Sequence, residues 1–245
     1  LHVVYTCYRE FGLIPPSAEE SRVTFHHVLP DSHVLVAKKA TMVHSTLTMV
    51  PDGCFGLPMD HEFGDRLAPL RKTGARLAEI TSLATLPEHR QANLFMYLYK
   101  LLLAIGLQAG LTDFVLVINP KHVRFYRDLL LFEQIGPERS YGAVSGAPGV
   151  PFRMNIERTL AEGHRVYQDG DVEQDLYGFF SSPWQGGEVA IPKNIRCKPA
   201  TLCRLFAEIL RSLGEEELAA VSEAYRDAGF EQDWQRFLGH AGIKR

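Results

Sequence analysis

Residues 113–136, "DFVLVINPKHVRFYRDLLLFEQIG", constrain the fold more than any other stretch. "DFVLVI" is a short β-branched run of the kind buried in a sheet. It leads straight into Asn119 and Pro120, and proline suits a helix's first turn because its missing N–H would have no partner there anyway. His122, Phe125, Tyr126 and Leu129 then recur at three- and four-residue steps. One stripe of a helix over 121–130 is therefore expected to face inward. "LFEQIG" resumes an extended pattern over 132–137. A strand, a tight turn, a short helix and a strand make a site-building unit, with Tyr126 on its inward side.

The rest of the chain arranges itself around that unit. Residues 1–12 read as an amphipathic helix ended by Gly12 and the Pro15–Pro16 pair. The helix has no start signal, which suggests that the numbered chain begins inside an element. Two extended stretches, 33–38 and 41–50, are closed by the turn "PDG". A short helix is expected around Asp60 to Arg71, then a long strand from about Arg76 to Leu86. "RQANLFMYLYKLLLAIGLQAG" is the strongest helix, over 91–108, stopped by Gly110. "SYGAVSGAPG" reads as a loop and "VPFRMNIE" as a last strand. After Glu157 the periodicity is lost among turn residues. Two or three amphipathic helices then follow, one of them with Leu202, Leu205, Phe206, Ile209 and Leu210 along one face. Domains are expected at 1–160 and 161–245, the second a C-terminal extension with an aromatic-rich loop ahead of its helices.

At 245 residues and 46% hydrophobic content the chain can bury a substantial core. Its net charge of −3 implies no general affinity for polyanions. The charge is unevenly spread: residues 71–127 carry eight Lys/Arg against three Asp/Glu, either a solvated basic face or a docking surface for an acidic partner. Cys7, Cys54, Cys197 and Cys203 lack metal-ligand spacing and read as free thiols in a reducing cytoplasm. His26 and His27 cannot both face one side of a strand, which argues against a metal site there. No apolar run is long enough to span a membrane, and no signal peptide is visible.

The order helix, strand, strand, strand, helix, strand, helix, strand, strand resembles the GCN5-related N-acyltransferase (GNAT) fold. In detail, "GLPMDHEF…LAPLRKTGARLAEITSLAT", "LFMYLYKLLL", "INPKHVRFYRDLLLFEQIGPERSY" and "GAPGVPFRMNIE" resemble the long-chain N-acyl amino acid synthases. That group is in turn similar to the acyl-homoserine-lactone autoinducer synthases. The resemblance covers about residues 1–157. It implies an α/β (α+β) fold, with a mixed, mainly antiparallel sheet flanked by helices. It also implies an N-acyltransferase that moves a fatty acyl group from a phosphopantetheine thioester to an amino group, with no metal and no permanently bound cofactor.

Such chemistry needs a base for the ammonium proton, a hold on the oxyanion and an exit for the thiolate. Glu79, mid-strand among apolar neighbours, is implied by the family as base or amine-positioning group. A partly buried carboxylate there would have a raised pKa; the structural alternative is pairing with Arg76 or with a helix across the sheet. Tyr126 stands seven residues after Asn119, as in the superfamily, where this tyrosine can protonate the leaving thiolate; otherwise it is a core aromatic. The resemblance places the acyl donor along Ser82, Leu83, Ala84, Arg90, Asn93, Asn119 and His122. Asn119 equally suits a helix cap, and His122 is an alternative base. "FMYLYKLLL" and "VPFRM" line an acyl tunnel or simply the core.

One departure concerns the donor. The superfamily's phosphate loop reads Arg/Gln-x-x-Gly-x-Gly/Ala, and its glycines admit backbone N–H groups to a pyrophosphate. Here Arg90 fits, but Asn93 and Phe95 stand at the glycine positions. That disfavours a cradled coenzyme A; the resemblance to the synthases implies acyl carrier protein as the donor, and its acidic surface suits Arg90, Lys121, Arg124 and Arg127. The amine is expected to be an amino acid or a similar small molecule. The rival readings are a coenzyme A-dependent acetyltransferase of the same fold and a degenerate fold serving as a protein-binding module.

Overall fold

The computed structural model describes residues 1–167, 176–182 and 199–243. Its centre is a sheet of seven strands: β1 (His33–Lys39), β2 (Met42–Pro51), β3 (Leu77–Thr85), β4 (Asp113–Ile118), β5 (Glu133–Gln134), β6 (Arg139–Tyr141) and β7 (Ala147–Asn155). The order is β1-β2-β3-β4-β7-β5, with β6 paired to the start of β7. Every pairing is antiparallel except β3 with β4. That parallel ladder covers only Leu77–Glu79 against Asp113–Val115. β3 and β4 run on to Thr85 and Ile118 without pairing to each other, so a gap opens between them.

Helices cover both faces. On one face α3 (Leu94–Gln108) lays Met96, Tyr99, Leu102 and Ile105 over Met49, Ile80, Leu116 and Phe152. Gly106 lets it lie flush: a Cβ there would meet the Phe114 ring at 2.5 Å. On the other face α2 (Asp60–Lys72) buries Phe63 and Leu67 with Leu57, Met59, Leu77, Val115 and Tyr141. The N-terminal helix α1 (His2–Glu10) packs Val3, Val4 and Cys7 on Ala84 near the end of β3.

Several expectations shift. Where a helix over 121–130 was expected, a 3-10 turn at Pro120–His122 leads into a π-helical turn at Phe125–Leu129. The wider turn rotates the inward stripe. Tyr126 and Leu130 are buried, with Val123 and Phe125 packed beside them, whereas His122 and Leu129 face outward. The strand expected over 132–137 shrinks to Glu133–Gln134, and part of the expected "SYGAVSGAPG" loop forms β6. His26 and His27 sit in a 3-10 turn at Phe25–Val28, not in a strand.

The last strand ends at Asn155, and a helix, α4 (Ile156–Tyr167), follows where no period was read. The Asn155 side chain accepts the Arg158 N–H at 3.0 Å, which caps the helix. A short helix, α5 (Leu176–Ser181), packs Phe179 and Phe180 on the α3-side core. Of the aromatic loop, residues 168–175 and 183–198, with Trp184 and Cys197, lie outside the described residues, as does the side chain of Leu202. The chain closes with α6 (Pro199–Ser212), α7 (Glu215–Asp227) and α8 (Glu231–Ala241). Phe206, Leu210, Val221, Tyr225, Trp234 and Phe237 build a separate core that also takes in Val28 and Leu29. The Tyr225 hydroxyl donates to the Val28 carbonyl at 2.6 Å.

Candidate active site

The "GLPMD" stretch is a machine for aiming one backbone N–H. Asp60 Oδ2 accepts from the Leu57 N–H at 2.6 Å, and both Asp60 oxygens take Arg71, which also grips Asp52. Gly56 has φ +65°, and a Cβ there would stand 2.6 Å from Asp60 Oδ2. The turn so fixed points the Met59 N–H at Glu79 Oε2, 2.7 Å away. The Tyr141 hydroxyl, from β6, faces Glu79 Oε1 at 3.4 Å. Glu79 is 1% exposed. Burial pushes its carboxyl up to about 8; the bonds from Met59 and Tyr141 pull it down, and Asp60 and Glu62 push it up further. No ion pair joins it to Arg76, but through the Met59 N–H it does bond to the N-terminal end of α2.

Glu79 is also the last β3 residue on the parallel ladder. Three residues on, Ser82 has φ +53° and marks a bulge against β2. Its hydroxyl accepts Arg22 Nη1 at 3.0 Å, while Arg22 Nη2 donates to the Ala143 carbonyl. Arg22 has no carboxylate partner among the described residues. His27 approaches Thr48 nearby; burial, aided by the Arg22 charge, lowers its pKa to about 4 and keeps it neutral. Leu83 packs against the α3-side core and Ala84 against α1.

Tyr126 occupies the other face. It packs with Tyr99, Phe125 and Phe132, and the Tyr99 hydroxyl donates to its oxygen at 3.3 Å. Tyr126 can then offer its own proton elsewhere, and burial raises its pKa to about 12. Glu79 and Tyr126 are thus not in contact. They lie on opposite faces of the sheet, with Glu79 at the last rung of the β3–β4 ladder.

The expected donor-binding groups divide. The Asn119 oxygen accepts the Lys121 N–H at 3.2 Å and caps the 3-10 turn. Asn93 holds a left-handed backbone, φ +49°, at the start of α3, and Phe95 packs edge-on against Phe125. Arg90 and Lys121 both lie over the exposed Phe11 ring, at 5.5 and 4.7 Å. Arg90 also pairs with Glu10, and Arg127 with Asp128; Arg124 is largely exposed, 4.0 Å from the same Asp128. Among the described residues no group of three His, Cys, Asp or Glu could hold a metal ion, and no helix is long and apolar enough to cross a membrane.

The profile of the FeeM family, N-acyl amino acid synthase FeeM, matches residues 1–155, well over half the chain. The chain belongs to the FeeM N-acyl amino acid synthase family. It is an acyltransferase of GNAT-like fold. Among solved structures it is similar to FeeM, an N-acyl amino acid synthase from uncultured soil microbes. That match has 26% identity and a TM-score of 0.57, and covers 65% of this chain and 84% of that one. A coenzyme A-dependent acyl-homoserine lactone synthase, BjaI, matches at 14% identity and TM-score 0.49, covering 70% of this chain and 81% of its own. The acyl-homoserine lactone synthase LasI matches at 12% and 0.49, covering 63% and 80%. No curated protein sequence gives a significant match.

Three residues at the candidate site escaped the sequence reading. Tyr141 lay in a stretch taken for loop. Arg22 sits between elements, where no period singles it out. Tyr99 carried a signal, since it shares the stripe of Met96 and Leu102, but its hydroxyl bond to Tyr126 is purely tertiary.

Proposed function

We propose that this acyltransferase moves a fatty acyl group from the phosphopantetheine thioester of acyl carrier protein to the α-amino group of an amino acid. The observation that carries the reading is Glu79, a buried carboxyl with a pKa near 8 at the point where β3 and β4 part. The thioester carbonyl lies in the gap, reached by the amine from the Glu79 face and by sulfur on the Tyr126 face. Glu79 takes the ammonium proton, the amine nitrogen bonds to the carbonyl carbon, and as the carbon–sulfur bond breaks the nitrogen's second proton passes to the sulfur, which leaves as the thiol. Beyond Glu79 no strand among the described residues pairs with β3 on the gap side, so that edge suits a peptide-like pantetheine arm and an oxyanion.

Tyr126 serves as a hydrogen-bond donor to the departing sulfur. A phenol near 12 does not give its proton outright to a thiolate whose acid has a pKa of about 8.5. On the other face, Arg22, with no carboxylate partner among the described residues, suits the substrate's α-carboxylate. That favours an amino acid over a simple amine.

The basic side chains around Phe11, and Phe95 in the phosphate loop, support the carrier protein as donor. Coenzyme A remains a second reading, because Asn93 keeps the left-handed backbone that a glycine would have. One assay separates them: the same acyl chain on either carrier, at low and high salt. Higher kcat/KM from the carrier protein, falling as salt screens the attraction, is the expected result. Equal turnover from both donors, indifferent to salt, overturns it.

A further inference from the structure

An apolar pocket, partly open to solvent, lies between α3, residues 129–132, the end of β7, α4 and α5. Its walls include Leu103, Leu130, Phe132, Met154, Leu160 and Phe180, and among the described residues no charged side chain lines it. Tyr99 also lines it and is hydrogen-bonded to Tyr126. Through Tyr99 the pocket adjoins Tyr126, the proposed hydrogen-bond donor to the departing sulfur, and Phe180 forms part of its wall. Ile156, Thr159, Leu160 and Gly163 on α4, and Phe180 on α5, lie beyond the stretch matched to the FeeM family.

The seating of α5 is specified by more than apolar contact. Lys100 is 8% exposed, and no carboxylate partners it among the described residues. Its ammonium donates to the Phe179 carbonyl and, at 2.7 Å, to the Ser182 hydroxyl. It also lies 4.8 Å from the centre of the Phe179 ring, which packs edge-on against Tyr97. A buried ammonium is costly unless hydrogen-bonded, and here the C-terminal end of α5 supplies the acceptors. Displacing α5 would strand that charge, so Phe180 is held in place.

We propose that this pocket receives the distal hydrocarbon end of the acyl chain, and that Phe180 sets the longest chain accepted. The inference rests on the acyl-transfer reading above and extends it to chain-length selection by this chain's own C-terminal extension. The occupant is a linear hydrocarbon because the lining is apolar and the pocket adjoins Tyr126. An amine's side chain would enter from the Glu79 face instead.

The test uses the full-length protein with acyl carrier protein thioesters graded from octanoyl to octadecanoyl. Phe180→Ala deepens the pocket, and Phe180→Leu does so by less. Leu160→Phe fills it. Each methylene moved into or out of an apolar site is worth about four-fold. The kcat/KM ratio of octadecanoyl to dodecanoyl should thus rise roughly ten-fold or more in Phe180→Ala, rise less in Phe180→Leu, and fall in Leu160→Phe. A general loss of packing would not move the two sets of variants in opposite directions.

Folded variants with the wild-type length profile overturn the inference. So does a change in amine preference at constant chain length, which would give the pocket to the other substrate. Binding of free fatty acids of the same lengths is measured in parallel. If no thioester is turned over but binding shifts with length in the same opposite senses, the reaction is misassigned and the pocket stands. If binding does not shift either, the pocket falls with it.

Discussion

Glu79 is held between two opposing effects. Burial favours its neutral form, while the Met59 N–H and the Tyr141 hydroxyl favour the carboxylate, and burial prevails. Its folded pKa, about 8, therefore lies above the ordinary carboxylate value. The folded protein holds this proton more tightly than the unfolded chain does. Its contribution to stability is full below the unfolded pKa and is lost as pH rises through about 8. Activity runs the other way, since a base must be free of its proton, and should climb through the same range. Glu79→Gln is expected to lower turnover about 10²–10⁴-fold and to flatten both profiles. Near-wild-type turnover in the folded variant would leave Glu79 as a structural group.

Turns decide more of this site than strands do. Asp60 is drawn below the usual carboxylate range: burial opposes the shift, but Arg71 and the Leu57 N–H outweigh it. Asp60→Ala would release Arg71 and the Leu57 N–H together, and loss of charged hydrogen bonds costs about 1.5–3 kcal/mol each. Loss of the Asp60 charge by itself lowers the Glu79 pKa, but Met59 would then aim less well at Glu79, and its bond is the larger influence, so the pH–activity curve should move to higher pH while the denaturation midpoint falls. An unmoved curve in a destabilised protein would mean that the turn contributes stability alone.

Legibility follows the range of the forces involved. α3 was readable because Met96, Tyr99, Leu102 and Ile105 repeat along one face. Glu79 was readable as a carboxylate among apolar strand residues. The π-helical turn was not, since its extra residue per turn moves His122 and Leu129 outward with no local mark. α4 had a mark, the cap at Asn155, that a strand-like reading of "VPFRMNIE" ran over. The Glu79–Tyr141 contact joins residues 62 apart through a three-residue strand, beyond the reach of any period.

At the scale of the whole molecule, α6–α8 cover Val28 and Leu29, which belong to the stretch matched to the FeeM family. Uncovering those two side chains alone costs about 3–6 kcal/mol, a large share of the roughly 5–15 kcal/mol that stabilises a domain. A chain ending at Ser182 is therefore expected to aggregate or to lose its cooperative thermal transition. One that melts with the full-length protein would show the helices to be dispensable for folding.

The short ladder between β3 and β4 has a mechanical consequence. A sheet carries cooperativity from strand to strand through its hydrogen bonds, and among the described residues Leu77–Glu79 against Asp113–Val115 is the only ladder between β1–β3 and the remaining strands. The two halves can breathe against each other at less cost than either can unravel. Amide exchange should separate them into two protection classes, and a bound thioester bridging the divide should merge the two. A single class without ligand would mean that α3 alone holds the halves together. The opening that lets the donor in is then also the seam along which the molecule first comes apart.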